Sequence, residues 1–166
     1  MDWEDITMES VRPDEAMLAA VEQARIHIKA RFGGPFGAAV IKEGQLVSVA
    51  ANSVLRDHDP CAHAEINAIR KAGAELGTHD LSGCILYATG YPCPMCLSAI
   101  IWANIATVYY GCEAWEAEEI GFRDDFIYRF IEDNRADGSV LRLLQLEHDA
   151  CRALYDEYAK ESGTIY

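Results

Sequence analysis

Between Phe36 and Tyr110, short apolar runs bounded by turn residues alternate with stretches of helical periodicity. That alternation confines the chain to a sheet covered on both faces. Phe36 to Ile41 reads as a strand, Lys42-Glu43-Gly44-Gln45 as a turn, and Leu46 to Ala50 as the hairpin partner. His63 to Leu76 reads as a helix with Ala64, Ala68 and Ala72 on one face. Ile85 to Ala88 reads as a buried strand, Pro94 to Ala103 as a helix, and Thr107 to Tyr110 as a further strand. Ahead of them, Met17, Val21, Ala24 and Ile28 mark a helix face, opened by Pro13-Asp14-Glu15 and stopped by Gly33-Gly34-Pro35. Behind them come a helix over Glu113 to Ile120, a weakly alternating last strand over Val140 to Leu146, and a closing helix over His148 to Lys160. Cys151, Leu154, Tyr155 and Tyr158 form the apolar stripe of that closing helix. The hairpin makes the sheet mixed. The expected fold is α/β, a three-layer α/β/α sandwich with about five strands.

A chain of 166 residues with 51% hydrophobic residues predicts one domain, residues 1–166, with a core of its own. The formal charge of −13 argues against a protein that grips nucleic-acid backbone, which takes lysine and arginine. Much of the acid excess lies from Glu113 onward and reads as a solvated surface. The longest apolar stretch, Leu97 to Ala103, is broken by Ser98 and falls far short of the roughly 20 residues a spanning helix needs, so no membrane partner is expected. The start, Met1-Asp2-Trp3-Glu4-Asp5, lacks the basic-then-apolar order of a secretory signal. The six cysteines then read as reduced thiols or metal ligands, and the expected compartment is the cytoplasm.

The chemistry is concentrated in His63-Ala64-Glu65 and, thirty positions on, Pro92-Cys93-Pro94-Met95-Cys96. Each half alone is weak, since a Cys-x-x-Cys pair also serves redox and structural zinc sites. Together, one imidazole and two thiolates suit zinc. Cys93 and Cys96 open a predicted helix, whose dipole favours thiolates, and His63 opens another. Three protein ligands, His63, Cys93 and Cys96, leave one tetrahedral position for water, the mark of a catalytic rather than a structural site. Glu65 beside that water can take its proton and deliver it to a leaving group. Cys61 reads as a small buried side chain, and Cys84, Cys112 and Cys151 as packing. His27, His58, His79 and His148 have no ligand spacing with anything else, and Glu113, Glu116, Glu118 and Glu119 read as a solvated helix face.

This signature belongs to zinc nucleobase deaminases. The segment Gly33 to Tyr128 resembles the cytidine-deaminase-like superfamily and, within it, the bacterial guanine deaminase branch. The resemblance is carried by Gly33-Gly34-Pro35-Phe36-Gly37, Asp59 to Glu65, Ala68-Ile69-Arg70-Lys71-Ala72, Pro92 to Cys96, and Gly121 to Tyr128. It implies one zinc ion per chain and hydrolytic deamination of a purine-like base, guanine to xanthine and ammonia. It also implies that Phe36 stacks on the base, Asn52 bonds its edge, the main-chain N–H of Ala64 holds a ring carbonyl oxygen, and Asp124 holds ring N–H groups. Tyr166 resembles the terminal aromatic of that branch, which implies a homodimer in which residues 140–166 are exchanged. Taken singly, each admits a plainer role: Phe36 in the core, Asn52 in a turn, Asp124 as a cap, Tyr166 as a chain end.

Two departures bear on the substrate. Tyr91 stands where the branch usually has an acidic residue directly before Pro-Cys-Pro-Met-Cys, and Arg123 stands where another acid is expected. Tyr91 is therefore a candidate pocket residue able to stack, fill space or donate one hydrogen bond. The alternatives to guanine are another amino-heterocycle or a nucleoside (guanosine, cytosine, a pterin, a triazine), then a tRNA adenosine, and finally a zinc-bound interaction module without catalysis.

Overall fold

The protein is described here by a computed structural model, which places residues 10–161 and 163–165. It divides into two compact units, one ending at Asp124 and the other beginning at Asp125.

The first unit is built on a four-stranded sheet in the order β2-β1-β3-β4, with β1 over Gly37–Lys42, β2 over Gln45–Ala51, β3 over Cys84–Gly90 and β4 over Thr107–Cys112. Strand β1 runs antiparallel to both neighbours, whereas β3 and β4 run parallel. The β1–β2 turn puts Glu43 at φ 49° and Gly44 at φ 73°, the left-handed pair that a two-residue hairpin loop requires. Helices α1 (Pro13–Ala30), α3 (Ala64–Leu76) and α4 (Pro94–Trp102) cover the sheet, and α2 (Val54–Asp57) and α5 (Ala114–Glu119) are short.

Side chains alternate between the two faces of the sheet. Ala38, Val40, Leu86 and Ala88 are buried with Ala64, Ala68 and Ala72 of α3 and Ile100 of α4. Their sequence neighbours Ala39, Ile41 and Tyr87 are buried with Ala16 and Ala20 of α1. These are the three layers expected from the sequence.

The sequence reading misplaces the face of α1. Its buried residues are Ala16, Ala20, Ala24 and His27, while Ile28 is 47% exposed. The cause is how close the helix lies. A Cβ on Gly37 would stand 1.9 Å from the carbonyl oxygen of Ala20, so only small side chains fit between helix and sheet. The larger Met17 and Val21 take the flank instead.

The second unit holds α6 (Asp125–Glu132) and α7 (His148–Lys160). Residues 140–146 form no strand, which corrects the expected strand count from five to four among the described residues. Weak alternation makes a strand only where a neighbouring strand takes up its amides and carbonyls. Here the amides of Val140 and Leu141 both donate to the Asp137 carbonyl, closing a turn, and Leu143, Leu144 and Leu146 are 64%, 78% and 80% exposed. The stripe expected on α7 is also exposed at Leu154, Tyr155 and Tyr158. Among the described residues, no helix is long and apolar enough to cross a membrane.

Candidate active site

The strand register gathers one end of the sheet. Gly37 at the start of β1 pairs with Ala51 at the end of β2, Ala38 pairs with Ala88, and Gly90 pairs with Cys112. The loops leaving β2 and β3 at this end carry Asn52 and Tyr91 to Cys93, and the segment entering β1 carries Phe36.

Two helix N-termini converge there. His63 is the N-cap residue of α3 and Cys93 that of α4, where Pro94 takes the first helical position. Nδ1 of His63 lies 3.5 Å from Sγ of Cys93 and 3.6 Å from Sγ of Cys96. One ligand atom from each residue lies within 4.8 Å of the other two. A zinc ion fits such a set by chemistry, since one imidazole and two sulfurs are its preferred donors. The proton balance fits as well. The Cys93 thiol is pulled down to about 4, first by a hydrogen bond from Cys96 and then, against burial, by one from His63. Cys96 keeps its hydrogen and is pushed up by that same bond and by burial. His63 is pushed up, chiefly by its bond to Cys93, with the charges of Glu65 and Asp124 adding. The three thus share protons that a cation would displace.

Glu65, in the first turn of α3, is 7% exposed, and burial raises its carboxyl above the ordinary range, with a hydrogen bond from its own main-chain amide opposing. A buried carboxyl poised nearer neutrality beside a metal cluster is suited to passing a proton back and forth. Ala64, fully buried, is the first helical residue, so its N–H has no intrahelical partner.

Phe36 lies over Gly90, whose Cβ would stand 3.5 Å from the ring. The Phe36 ring also meets Phe122 edge to face, with centroids 5.0 Å apart. The Phe36 carbonyl accepts the Asn52 amide at 2.9 Å, tying Phe36 to the neighbouring loop. The side-chain oxygen of Asn52 accepts from Gly34 N–H at 3.3 Å and Val54 N–H at 3.2 Å. Two donors fix that oxygen, so the Nδ2 amino group must point the other way. Asn52 therefore presents a donor, which suits an acceptor atom on a ligand. The Cβ of any residue at Gly33 would stand 2.1 Å from Asn52 Oδ1, so glycine is required there.

Tyr91 is 40% exposed, and its ring meets Tyr110 edge to face at 5.0 Å. Tyr110 donates its hydroxyl to Glu113 at 3.1 Å, and Glu113 in turn heads α5, its amide bonded to Glu116. Glu113 is thus a structural acid rather than merely a solvated one. Asp124 is half-buried, and Arg123 pairs with Glu118 at 3.2 Å on the surface. Tyr166 lies outside the described residues. Three of the cysteines expected to pack, Cys61, Cys112 and Cys151, are exposed, and only Cys84 is buried as expected. They sit in a loop, at the end of β4 and on α7.

Sequence reading missed three residues. Asn67 donates the two hydrogens of Nδ2 to Ser53 Oγ at 2.9 Å and the Ala51 carbonyl at 3.0 Å, with the Ala62 carbonyl within 3.3 Å, which locks the Asn52 loop to α3. Phe122 braces Phe36, and its place in the Gly-Phe-Arg-Asp-Asp block was the available signal. His27 holds the Asn52 carbonyl, and no spacing rule marks it.

A fold of this kind with one His and two Cys donors at paired helix N-termini defines a zinc-dependent hydrolase of amino-substituted bases. Residues 11–112 match the model of the cytidine and deoxycytidylate deaminase zinc-binding region, and the chain belongs to that family. Within it, the chain is similar to guanine deaminase from Bacillus subtilis, with 48% identity over 113 residues, covering 68% of this chain and 72% of that protein. The crystal structure of that B. subtilis enzyme superposes with a TM-score of 0.81, at 39% identity, over 89% of this chain and 95% of the other. Guanine deaminase from Nitrosomonas europaea superposes with a TM-score of 0.65 at 36% identity, over 69% of this chain and 66% of the other. A tRNA-specific adenosine deaminase from Aquifex aeolicus is 46% identical over 77 residues, which cover 46% of this chain and 51% of that protein.

Proposed function

We propose that the protein hydrolyses guanine to xanthine and ammonia, with one zinc ion per chain held by His63, Cys93 and Cys96. The observation that carries this reading is the buried carboxyl of Glu65 beside three ligand atoms that lie within 4.8 Å of one another. Zinc, when bound, supplies a Lewis acid that brings the pKa of water down to about 7. The chain's own residues do the rest. Phe36 offers a ring face on which the base stacks. Asn52 donates from Nδ2 to an acceptor on the base edge, and Asp124 accepts ring N–H groups. The Ala64 N–H donates to the ring carbonyl oxygen. Glu65 takes a proton from the attacking water and passes it to the ring nitrogen beside C2. It then carries the second proton to the amine nitrogen as the C2–N bond breaks, so that water and guanine leave as xanthine and ammonia.

Tyr91 replaces a carboxylate at the pocket rim, and its ring, held against Tyr110, is proposed to contact the base. The whole chain is proposed to act as one enzyme domain and as a homodimer, residues 140–166 covering the partner's site with Tyr166. That all six cysteines are free supports a cytoplasmic setting. Ammonia release from guanine, guanosine, adenosine-bearing tRNA, cytosine, a pterin and a triazine tests the substrate. Guanine is expected to react and tRNA to remain unchanged. Release from tRNA or a nucleoside in preference to the free base overturns the reading.

A further inference from the structure

We propose that His27 is a positioning residue for the substrate loop: its imidazole holds the main-chain carbonyl of Asn52 and so aims that residue's side-chain amide at the base. The inference rests on the assignment of Asn52 to the base edge. His27 is 8% exposed, and its Nδ1 lies 2.9 Å from the Asn52 oxygen. A carbonyl only accepts, so Nδ1 carries the hydrogen.

The ring is fixed from several directions. It meets Phe32 edge to face at 5.3 Å, and the Phe32 amide bonds the His27 carbonyl at 2.9 Å. The carbonyl of Phe32 accepts the amides of Leu55 and Arg56, each at 3.0 Å, and the Arg56 guanidinium lies 5.2 Å above the Phe32 ring. His27 thus hangs from a rigid corner shared by α1 and the segment after Asn52.

The polar groups of Asn52 are nearly all spent. Its N–H goes to Phe36, its carbonyl to His27, and its Oδ1 to Gly34 and Val54. Among the described residues, no fully buried side-chain nitrogen or oxygen lacks a partner, so Nδ2, for which no bond is left over on this loop, keeps some contact with solvent and is the one group of Asn52 left for a ligand. A Cβ on Gly33 would stand 2.6 Å from the Asn52 carbonyl oxygen, so Gly33 also packs closely against that oxygen. Burial alone does not call for a histidine here. Ala16, Ala20 and Ala24 fill the same face of α1 without any polar group, and His27 is the one member placed at the end of β2, where a carbonyl needs a donor.

The test compares His27→Leu, His27→Gln and His27→Asn in the zinc-loaded full chain, with and without Asn52→Ala. Leu removes the donor, Gln displaces it by one bond, and Asn restores an N–H at the position of Nδ1. His27→Leu and His27→Gln are expected to raise KM for guanine about tenfold with little change in kcat, as loss of one buried hydrogen bond would. His27→Asn is expected to recover most of that. In the Asn52→Ala background, either replacement is expected to add nothing further. The Asn52 side-chain amide resonances are expected to shift in His27→Leu or His27→Gln and return in His27→Asn, whatever the substrate proves to be. An unmoved Asn52 amide, or an equal loss in both backgrounds, overturns the inference. An inactive wild-type protein whose Asn52 amide still answers to His27 overturns the guanine reading instead.

Discussion

The ring of Phe36 meets the ring of Phe122 edge to face, with centroids 5.0 Å apart and planes at 87°. Phe122 Cζ also sits where a Cβ on Gly34 would stand 2.9 Å away, so the glycine-rich segment and Phe122 together hold the Phe36 ring. Such a pair contributes about 0.5–1.5 kcal/mol. Phe122→Ala is therefore expected to raise KM for guanine by about two- to tenfold at nearly constant kcat. Steady-state kinetics on the zinc-loaded protein checks this, and an unchanged KM would remove Phe122 from the site.

Glu65→Gln keeps shape and burial but loses the carboxylate. The variant is expected to bind one equivalent of zinc, fold as the wild type does, and lose at least about a thousandfold in kcat. Metal analysis alongside ammonia release separates this from a collapsed site. Retained turnover would assign the proton transfer to another group.

Gly37→Ala is a stability test without chemistry. The new Cβ would meet the Ala20 carbonyl oxygen at 1.9 Å, and neither backbone can yield without lifting α1 from the sheet. Overpacking of this kind costs about 1–3 kcal/mol, readable as a lower urea midpoint at unchanged slope. A midpoint equal to wild type would mean that α1 lies farther from β1 than described.

Asp57 supplies the pH dependence. Arg56 and then Ser53 hydrogen-bond its carboxylate and hold it below the ordinary value of 3.8. A carboxylate depressed in the folded state stabilises the fold above its unfolded pKa, and that contribution fades as pH falls through the folded value. Asp57→Asn is expected to melt earlier than wild type at pH 7, with the difference closing below about pH 3.8. A gap that widens in acid would reverse the sign.

The four strands, the helices α1, α3 and α4, and the candidate metal cluster were legible in the sequence because all rest on short-range patterns, whereas α2 and α6 were not expected. Alternation along β1 and β3 set the two faces, and the spacing of His63, Cys93 and Cys96 pointed to the cluster the fold brings together. What was not legible depends on pairing and close approach. The face of α1 is chosen by the Gly37 contact with Ala20, which no helical period encodes. The 140–146 strand failed because alternation says nothing about a partner. His27 and Asn67 act on main-chain carbonyls at the end of β2, and such partners have no residue type to search for.

On the proposed reading, one cation at His63, Cys93 and Cys96 is needed to turn guanine into xanthine. The most direct test strips the full chain with a chelator, confirms metal loss by elemental analysis, and follows xanthine formation as zinc is titrated back. Activity is expected to vanish on stripping and to return in proportion to zinc, reaching a plateau at one equivalent per chain. Xanthine formation that persists in the stripped protein, or none at any zinc loading, would rule out a zinc-dependent guanine deaminase.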